Sequence, residues 1–210
     1  MTQQQTGGAA FWDERYREQE QLFSGNPNGV LVTDVADLPP GQALDVGCGE
    51  GGDAVWLAQR GWHVTAIDIS RVALERAART AREHGLGERI SWVRGDPTTT
   101  PPPARAFDLV SAHYFPLRRD AGSGAESGRG ALRSLLDAVS PGGTLLFVGH
   151  DPSGVDESHE PHAYYQPDQV AELLDDDWNV ECHETRARTS APPEGTHHTH
   201  DVVLRARRRR

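Results

Sequence analysis

The chain has 210 residues, with 31 acidic against 21 basic side chains and a formal net charge of −10. That balance disfavours unspecific nucleic-acid binding, which needs a broad basic face. All 21 basic residues are arginine, which excludes Schiff-base chemistry on lysine and a lysine-bearing P-loop.

In chain order, residues 1 to 10 are polar and glycine-rich, and no secretory signal is expected because no charged start leads into an apolar run. Phe11, Trp12, Arg15, Tyr16 and Gln19 recur at helical spacing and predict a helix from Phe11 to about Leu22. "SGNPNG" reads as a turn, and Val30, Leu31, Val35 and Leu38 predict a second short helix that "LPPG" ends. Residues 1–40 are thus expected to be a helical arm or lid, and residues 41–210 the main domain.

From there the pattern alternates. "QALDVG" predicts a strand, residues 51–60 a helix stopped by Gly61, and "HVTAIDI" a second strand. Ser70 is the expected N-cap of "RVALERAARTAREHG", which is followed by the strand "RISWVRGD". "PTTTPPPARA" is a loop, because its prolines suit neither a helix interior nor a central strand. Then come the strand "FDLVSAHY", a glycine- and serine-rich loop, the helix "ALRSLLDAVS", and a turn and strand in "PGGTLLFVGHD". A long loop, a helix over 168–175 and two final strands, "WNVECHETRAR" and "THDVVLRARR", complete the chain.

Strands alternating with helices predict a parallel sheet covered on both faces, and two terminal strands with no helix between them predict an antiparallel hairpin. The expected fold is α/β: a doubly wound, Rossmann-like, seven-stranded sheet, mostly parallel. Cys48 and Cys182 make neither a disulfide framework nor a zinc pattern. A reducing, cytoplasmic setting is therefore the default, with no membrane span and a monomer expected.

The stretch "ALDVGCGEGG" poses the functional question. Gly47, Gly49 and Gly52 fit the spacing of a dinucleotide cradle, yet Asp45 and Glu50 flank the same bend. Two carboxylates repel a pyrophosphate and attract S-adenosylmethionine, which carries a sulfonium and an ammonium against one carboxylate. A nicotinamide-dinucleotide oxidoreductase is the competing reading, and a non-catalytic S-adenosylmethionine-binding module the third.

"LDVGCGEGGDAVWLA" followed by "VTAIDIS" resembles the first two motifs of the class I S-adenosylmethionine-dependent methyltransferases. The resemblance continues at "RGD", "FDLVSAHYF" and "SPGGTLLFVGHD", and the aromatic-rich arm is similar to that of the thiopurine and tellurite methyltransferase branch. It implies that Asp45, Gly47 and Gly49 hold the methionine part, that Asp68 accepts hydrogen bonds from the ribose hydroxyls, and that Ile69 packs on adenine. It further implies a hydrogen bond from the adenine amino group to Asp96, which is alternatively a turn former before Pro97. Trp12 and Tyr16 either close over the cofactor or simply dock the arm. Cys48 reads as a small packed residue.

His113 is the candidate general base, and with Tyr114 and His150 it is a candidate acceptor contact; a satisfied polar residue is the plain alternative for His113. Asp151 ends the fifth strand on the same rim, and His159, His162, Tyr164 and Tyr165 sit in the loop beyond it. His197, His198 and His200 form a histidine-rich tract, yet no ligand spacing is tight enough to predict a metal. The expected acceptor is a small molecule. A thiolate or a tellurium or selenium anion would need no base, whereas an alcohol or amine would.

Overall fold

The alternating apolar runs close into one seven-stranded sheet of order β3-β2-β1-β4-β5-β7-β6. The structure, a computed structural model, describes residues 8–119, 128–151, 163–189 and 199–210. The strands are β1 (Gln42–Val46), β2 (His63–Asp68), β3 (Ile90–Arg94), β4 (Phe107–His113), β5 (Val139–His150), β6 (Trp178–Ala187) and β7 (His200–Arg208). β1 to β5 run parallel, and β7 pairs antiparallel with both β5 and β6. The helices are α1 (Ala9–Arg17), α2 (Gly29–Val35), α3 (Gly52–Gln59), α4 (Arg71–Glu83), α5 (Gly128–Ala138) and α6 (Pro167–Ala171).

Side chains alternate across each strand, so one sheet builds two cores. Val110, Ala112, Leu145 and Phe147 pack with Leu132 and Leu135 of α5 and Val170 of α6. Ala43, Leu109, Leu146 and Val203 pack on the other side with Leu31 of α2 and Trp56 and Leu57 of α3. Each fully buried leucine contributes about 1.5–3 kcal/mol. Val30, Leu31 and Val35 of the expected arm thus share a core with the sheet.

Three boundaries differ from the sequence reading. The first helix ends at Arg17 rather than near Leu22, because Arg76 Nη2 donates to the carbonyls of Tyr16 (2.6 Å) and Gln19 (2.8 Å). Helix α5 ends at Ala138, and β5 already includes the expected turn at Pro141. Proline disfavours helical backbone at the residue before it, and the pairing of β4 with β5 shifts register in this stretch. Helix α6 covers only Pro167–Ala171, where Leu173 and Leu174 close tight turns onto Val170 and Ala171. Ser70 caps α4 as expected, its side chain accepting from the Ala73 N–H. Among the described residues, no helix is long and apolar enough to cross a membrane.

Candidate functional site

Parallel strands place their carboxyl ends along one rim, where open sheets of this kind take ligands. The bend after β1 meets the end of β2 there. Asp68 Oδ2 accepts the Gly49 N–H at 2.9 Å, while Oδ1 accepts the Ser70 N–H at 2.8 Å. Gly47 and Gly49 have φ of +71° and +52°, a region costly for other residues. A Cβ on Gly47 would lie 2.7 Å from the Phe115 ring, and one on Gly49 3.0 Å from Tyr16 Oη. The bend is therefore roofed by two aromatic side chains, one from the arm and one from beyond β4. Phe115 escaped the sequence reading; an aromatic residue just past a rim strand was the available signal.

Asp45 is 3% exposed, near the end of β1. Burial, then the Asp53 and Asp68 carboxylates, pushes its carboxyl well above the usual range. Asp45 pairs in register with Ser111 of β4, and His113 follows on the same face. Asp45 Oδ2, Ser111 Oγ and both ring nitrogens of His113 are buried without a hydrogen-bond partner. Buried polar atoms are normally satisfied, so this row is built for a polar ligand or an ordered water. Burial also lowers the pKa of His113, keeping its ring neutral.

The structure corrects the role of Glu50. It accepts the N–H groups of Leu22 (3.1 Å) and Phe23 (2.9 Å) and pairs with Arg76 at 2.9 Å. Asp53 takes the Asn28 backbone N–H at 2.7 Å and its side-chain amide at 2.8 Å. Asp13 takes the Ser70 hydroxyl at 2.7 Å and the Val72 N–H at 3.1 Å. These carboxylates fasten residues 13–28 over the rim. Glu50 is thereby spent on the arm, and the electrostatic case for a cationic ligand rests on Asp45 and Asp68.

The predicted stripe on α1 is also corrected: Phe11, Arg15 and Gln19 are exposed, and the buried face holds Asp13 and Tyr16. Asp13 alternates poorly with an apolar stripe, and its partner Ser70 lies 57 residues away, so the pattern concealed it. Tyr16 sits against the glycine bend, with half-buried Trp12 6.2 Å from it. Burial, then the Asp68 and Glu50 charges, raises the Tyr16 pKa, so its hydroxyl stays protonated. Half-buried Ile69 follows Asp68. Asp96 Oδ1 accepts the N–H (2.9 Å) and hydroxyl (2.7 Å) of Thr98, the turn geometry expected before a proline. Burial raises the Cys48 thiol pKa, which suits a packed residue rather than a reactive one.

Farther along the rim, Tyr114 stands at φ +53°. Its ring stacks on His150 at 4.2 Å with a 12° tilt and meets the His113 ring edge at 6.1 Å. Its hydroxyl donates to Asp201 Oδ1 at 2.9 Å, and the Arg188 guanidinium lies 5.0 Å from its ring centre. His113, Tyr114 and His150 are thus brought together as predicted, joined by Arg188 and Asp201, which were not. An aspartate opening a run of buried valines was a readable sign of Asp201; Arg188 had none. Tyr165 is buried in the core near α5 and α6, Tyr164 pairs with Arg118, and Asp151 donates its N–H to the His200 carbonyl at 3.1 Å. His159, His162, His197 and His198 lie outside the described residues. Among the described residues, no group of three or more His, Cys, Asp or Glu side chains is placed to hold a metal.

Comparison with known proteins bears on the family and the fold. A methyltransferase domain model matches residues 43–143. The chain is 30% identical over 170 residues to thiocyanate methyltransferase 1 of Arabidopsis thaliana, covering 75% of this chain and 70% of that protein. It is 30% identical over 182 residues to a probable chloroplastic tocopherol O-methyltransferase of Oryza sativa subsp. japonica, covering 77% of this chain. The chain spans about half the length of that rice protein, 47%. A solved structure concerned with converting a disulfide bond into a thioacetal group during echinomycin biosynthesis superposes with a TM-score of 0.72 at 22% identity, covering 96% of this chain and 92% of that one. By its fold, its glycine bend with the two aspartates, and these relatives, the chain belongs to the class I S-adenosylmethionine-dependent methyltransferases.

Proposed function

We propose that the protein transfers the methyl group of S-adenosylmethionine to a small-molecule acceptor bound beside His113. The observation that carries this reading is a pair of aspartates at one bend: half-buried Asp68 tied to the Gly49 N–H at 2.9 Å, and buried Asp45 with an unpartnered oxygen behind it. The thiocyanate and tocopherol relatives support an acceptor of small size.

In this reading Asp45, Gly47 and Gly49 hold the methionine part. Asp45 supplies a carboxylate oxygen for the ammonium group. Each Asp68 oxygen already accepts one backbone N–H and retains a lone pair for a ribose hydroxyl. Ile69 lines the adenine face, Asp96 meets the adenine amino group, and Trp12 and Tyr16 close the arm over the site as a lid. Bound S-adenosylmethionine supplies a methyl group already activated by the sulfonium charge. The protein then contributes alignment, a pocket roofed by Tyr16 and Phe115, and exclusion of water. A thiolate-like acceptor needs no proton removed. An alcohol or amine acceptor gives its proton to neutral His113, whose lowered pKa leaves a ring nitrogen free to take it at neutral pH.

The test is turnover of methyl-labelled S-adenosylmethionine against a panel of thiols, phenols, amines, thiocyanate and tellurite. Label transfer with stoichiometric S-adenosylhomocysteine is expected for at least one small acceptor. Tight cofactor binding without transfer to any member would instead mark a non-catalytic binding module.

A further inference from the structure

Arg188 follows β6 directly, and its side chain is only 7% exposed. A buried guanidinium normally spends its five N–H donors on acceptors. Here Nε and Nη1 have no hydrogen-bond partner. The nearest carboxylate, Asp201, lies 3.7 Å from Nη1, beyond hydrogen-bond length, and the same Oδ1 atom already accepts the Tyr114 hydroxyl at 2.9 Å. Asp201 therefore balances charge without filling the fork.

The neighbouring carboxylates are also committed. Asp34 is held by Arg186, and Asp53 by Asn28. His113, 9% exposed, adds an imidazole whose two nitrogens have no partner. Between them stands Tyr114, held at positive φ and stacked on His150, which fixes an aromatic wall beside these donors. Strained backbone of this kind persists where the surroundings impose it, commonly at ligand sites.

Resting on the methyltransferase reading, we propose that Arg188 is an anion-recognition residue of the acceptor pocket and that the acceptor is a small molecule bearing a carboxylate. The Nε–H and the Nη2–H beside it, which point the same way along one edge of the guanidinium, donate to the two carboxylate oxygens, and the acceptor's apolar body lies along the Tyr114 wall. The guanidinium fork matches a planar carboxylate, whereas an ammonium would supply only a point charge.

The test is calorimetry on the full chain saturated with S-adenosylhomocysteine. The probes are benzoate, 2-naphthoate and indole-3-acetate, each beside its uncharged primary amide. The acids should bind at least ~10-fold more tightly than their amides, the order of effect expected for a charge-assisted bidentate contact. Arg188→Gln should abolish that preference while leaving affinity for S-adenosylhomocysteine unchanged. If Arg188→Gln does not fold, Arg188→Lys decides: a preference reduced several-fold supports the proposal, and an undiminished one overturns it. Acids and amides binding alike, neither binding, or a preference surviving Arg188→Gln also overturns it. So does a loss of S-adenosylhomocysteine affinity in a variant with unchanged melting temperature, since Arg188 would then belong to the cofactor site. Failure of the wild-type chain to bind S-adenosylhomocysteine would instead strike the underlying methyltransferase reading.

Discussion

The Ser70 hydroxyl donates to Asp13 at 2.7 Å while accepting the Ala73 N–H at 3.2 Å, so one side chain caps α4 and fastens α1 to it. Burial opposes ionisation of Asp13, but the Ser70 hydroxyl, the Val72 N–H and Arg17 outweigh it, and its pKa is lowered. A carboxylate with a depressed folded pKa contributes stability above its ordinary value near 3.8 and loses it as pH falls through the depressed value. The docked arm should therefore persist down to about pH 4 and release below it. Asp13→Ala should leave the arm loose at neutral pH, read as faster proteolysis within residues 18–28; equal cleavage rates would remove this anchor.

Glu50 and Arg76 form the second fastening, with side chains 7% and 21% exposed. Glu50→Ala strands the Arg76 charge and two backbone donors, a loss of about 3 kcal/mol for a buried pair broken on one side. At about 2–4 °C per kcal/mol for a chain of this length, the melting temperature should fall by roughly 6–12 °C. Because the arm carries Tyr16 onto the glycine bend, affinity for S-adenosylhomocysteine should fall too. A variant with unchanged melting and affinity would show that the latch contributes little.

Asp45 sets stability against binding. A carboxyl whose folded pKa is raised contributes stability fully present below its ordinary value and loses it as pH rises through the raised one. The ligand-free protein should thus lose stability as pH rises through that range. Asp45→Asn should flatten this loss, raising the melting temperature at pH 8 by about 2–4 °C, the shift that ~1 kcal/mol produces. The same variant should weaken S-adenosylmethionine binding, and the wild-type affinity should improve with pH as Asp45 ionises against the cationic ligand. Identical pH profiles for wild type and variant would contradict the assignment.

His113 carries the opposite sign. Burial lowers its pKa, so below about 6.5 the unfolded chain takes up a proton that the folded chain resists. Stability should decline as pH falls below that value, and His113→Gln should remove this part of the decline. Urea unfolding at pH 5.5 and 7.5 measures it.

The sheet was legible because strand and helix periods alternate cleanly from Gln42 onward and glycines mark helix ends such as Gly61. The bend was legible because Asp45 and Asp68 belong to short local motifs. What the sequence concealed were contacts made across distance and to the main chain. Glu50 bonds backbone N–H groups of Leu22 and Phe23, and an amide carries no residue-type signature. The Tyr114–Asp201 bond joins residues 87 positions apart. The early end of α1 follows from Arg76 capturing the Tyr16 and Gln19 carbonyls, a tertiary competition that periodicity does not register.

The central claim is that the glycine bend, flanked by Asp45 and Asp68, selects a cationic nucleoside. Calorimetry of the wild-type chain and Asp68→Asn with S-adenosylmethionine, S-adenosylhomocysteine and NADH measures this directly. The account predicts that wild type binds the first two ligands and not NADH, and that Asp68→Asn loses at least ~10-fold in affinity for both, worth about 1.4 kcal/mol. Tight NADH binding with no response to S-adenosylmethionine, or an Asp68→Asn variant with wild-type affinity, would contradict it.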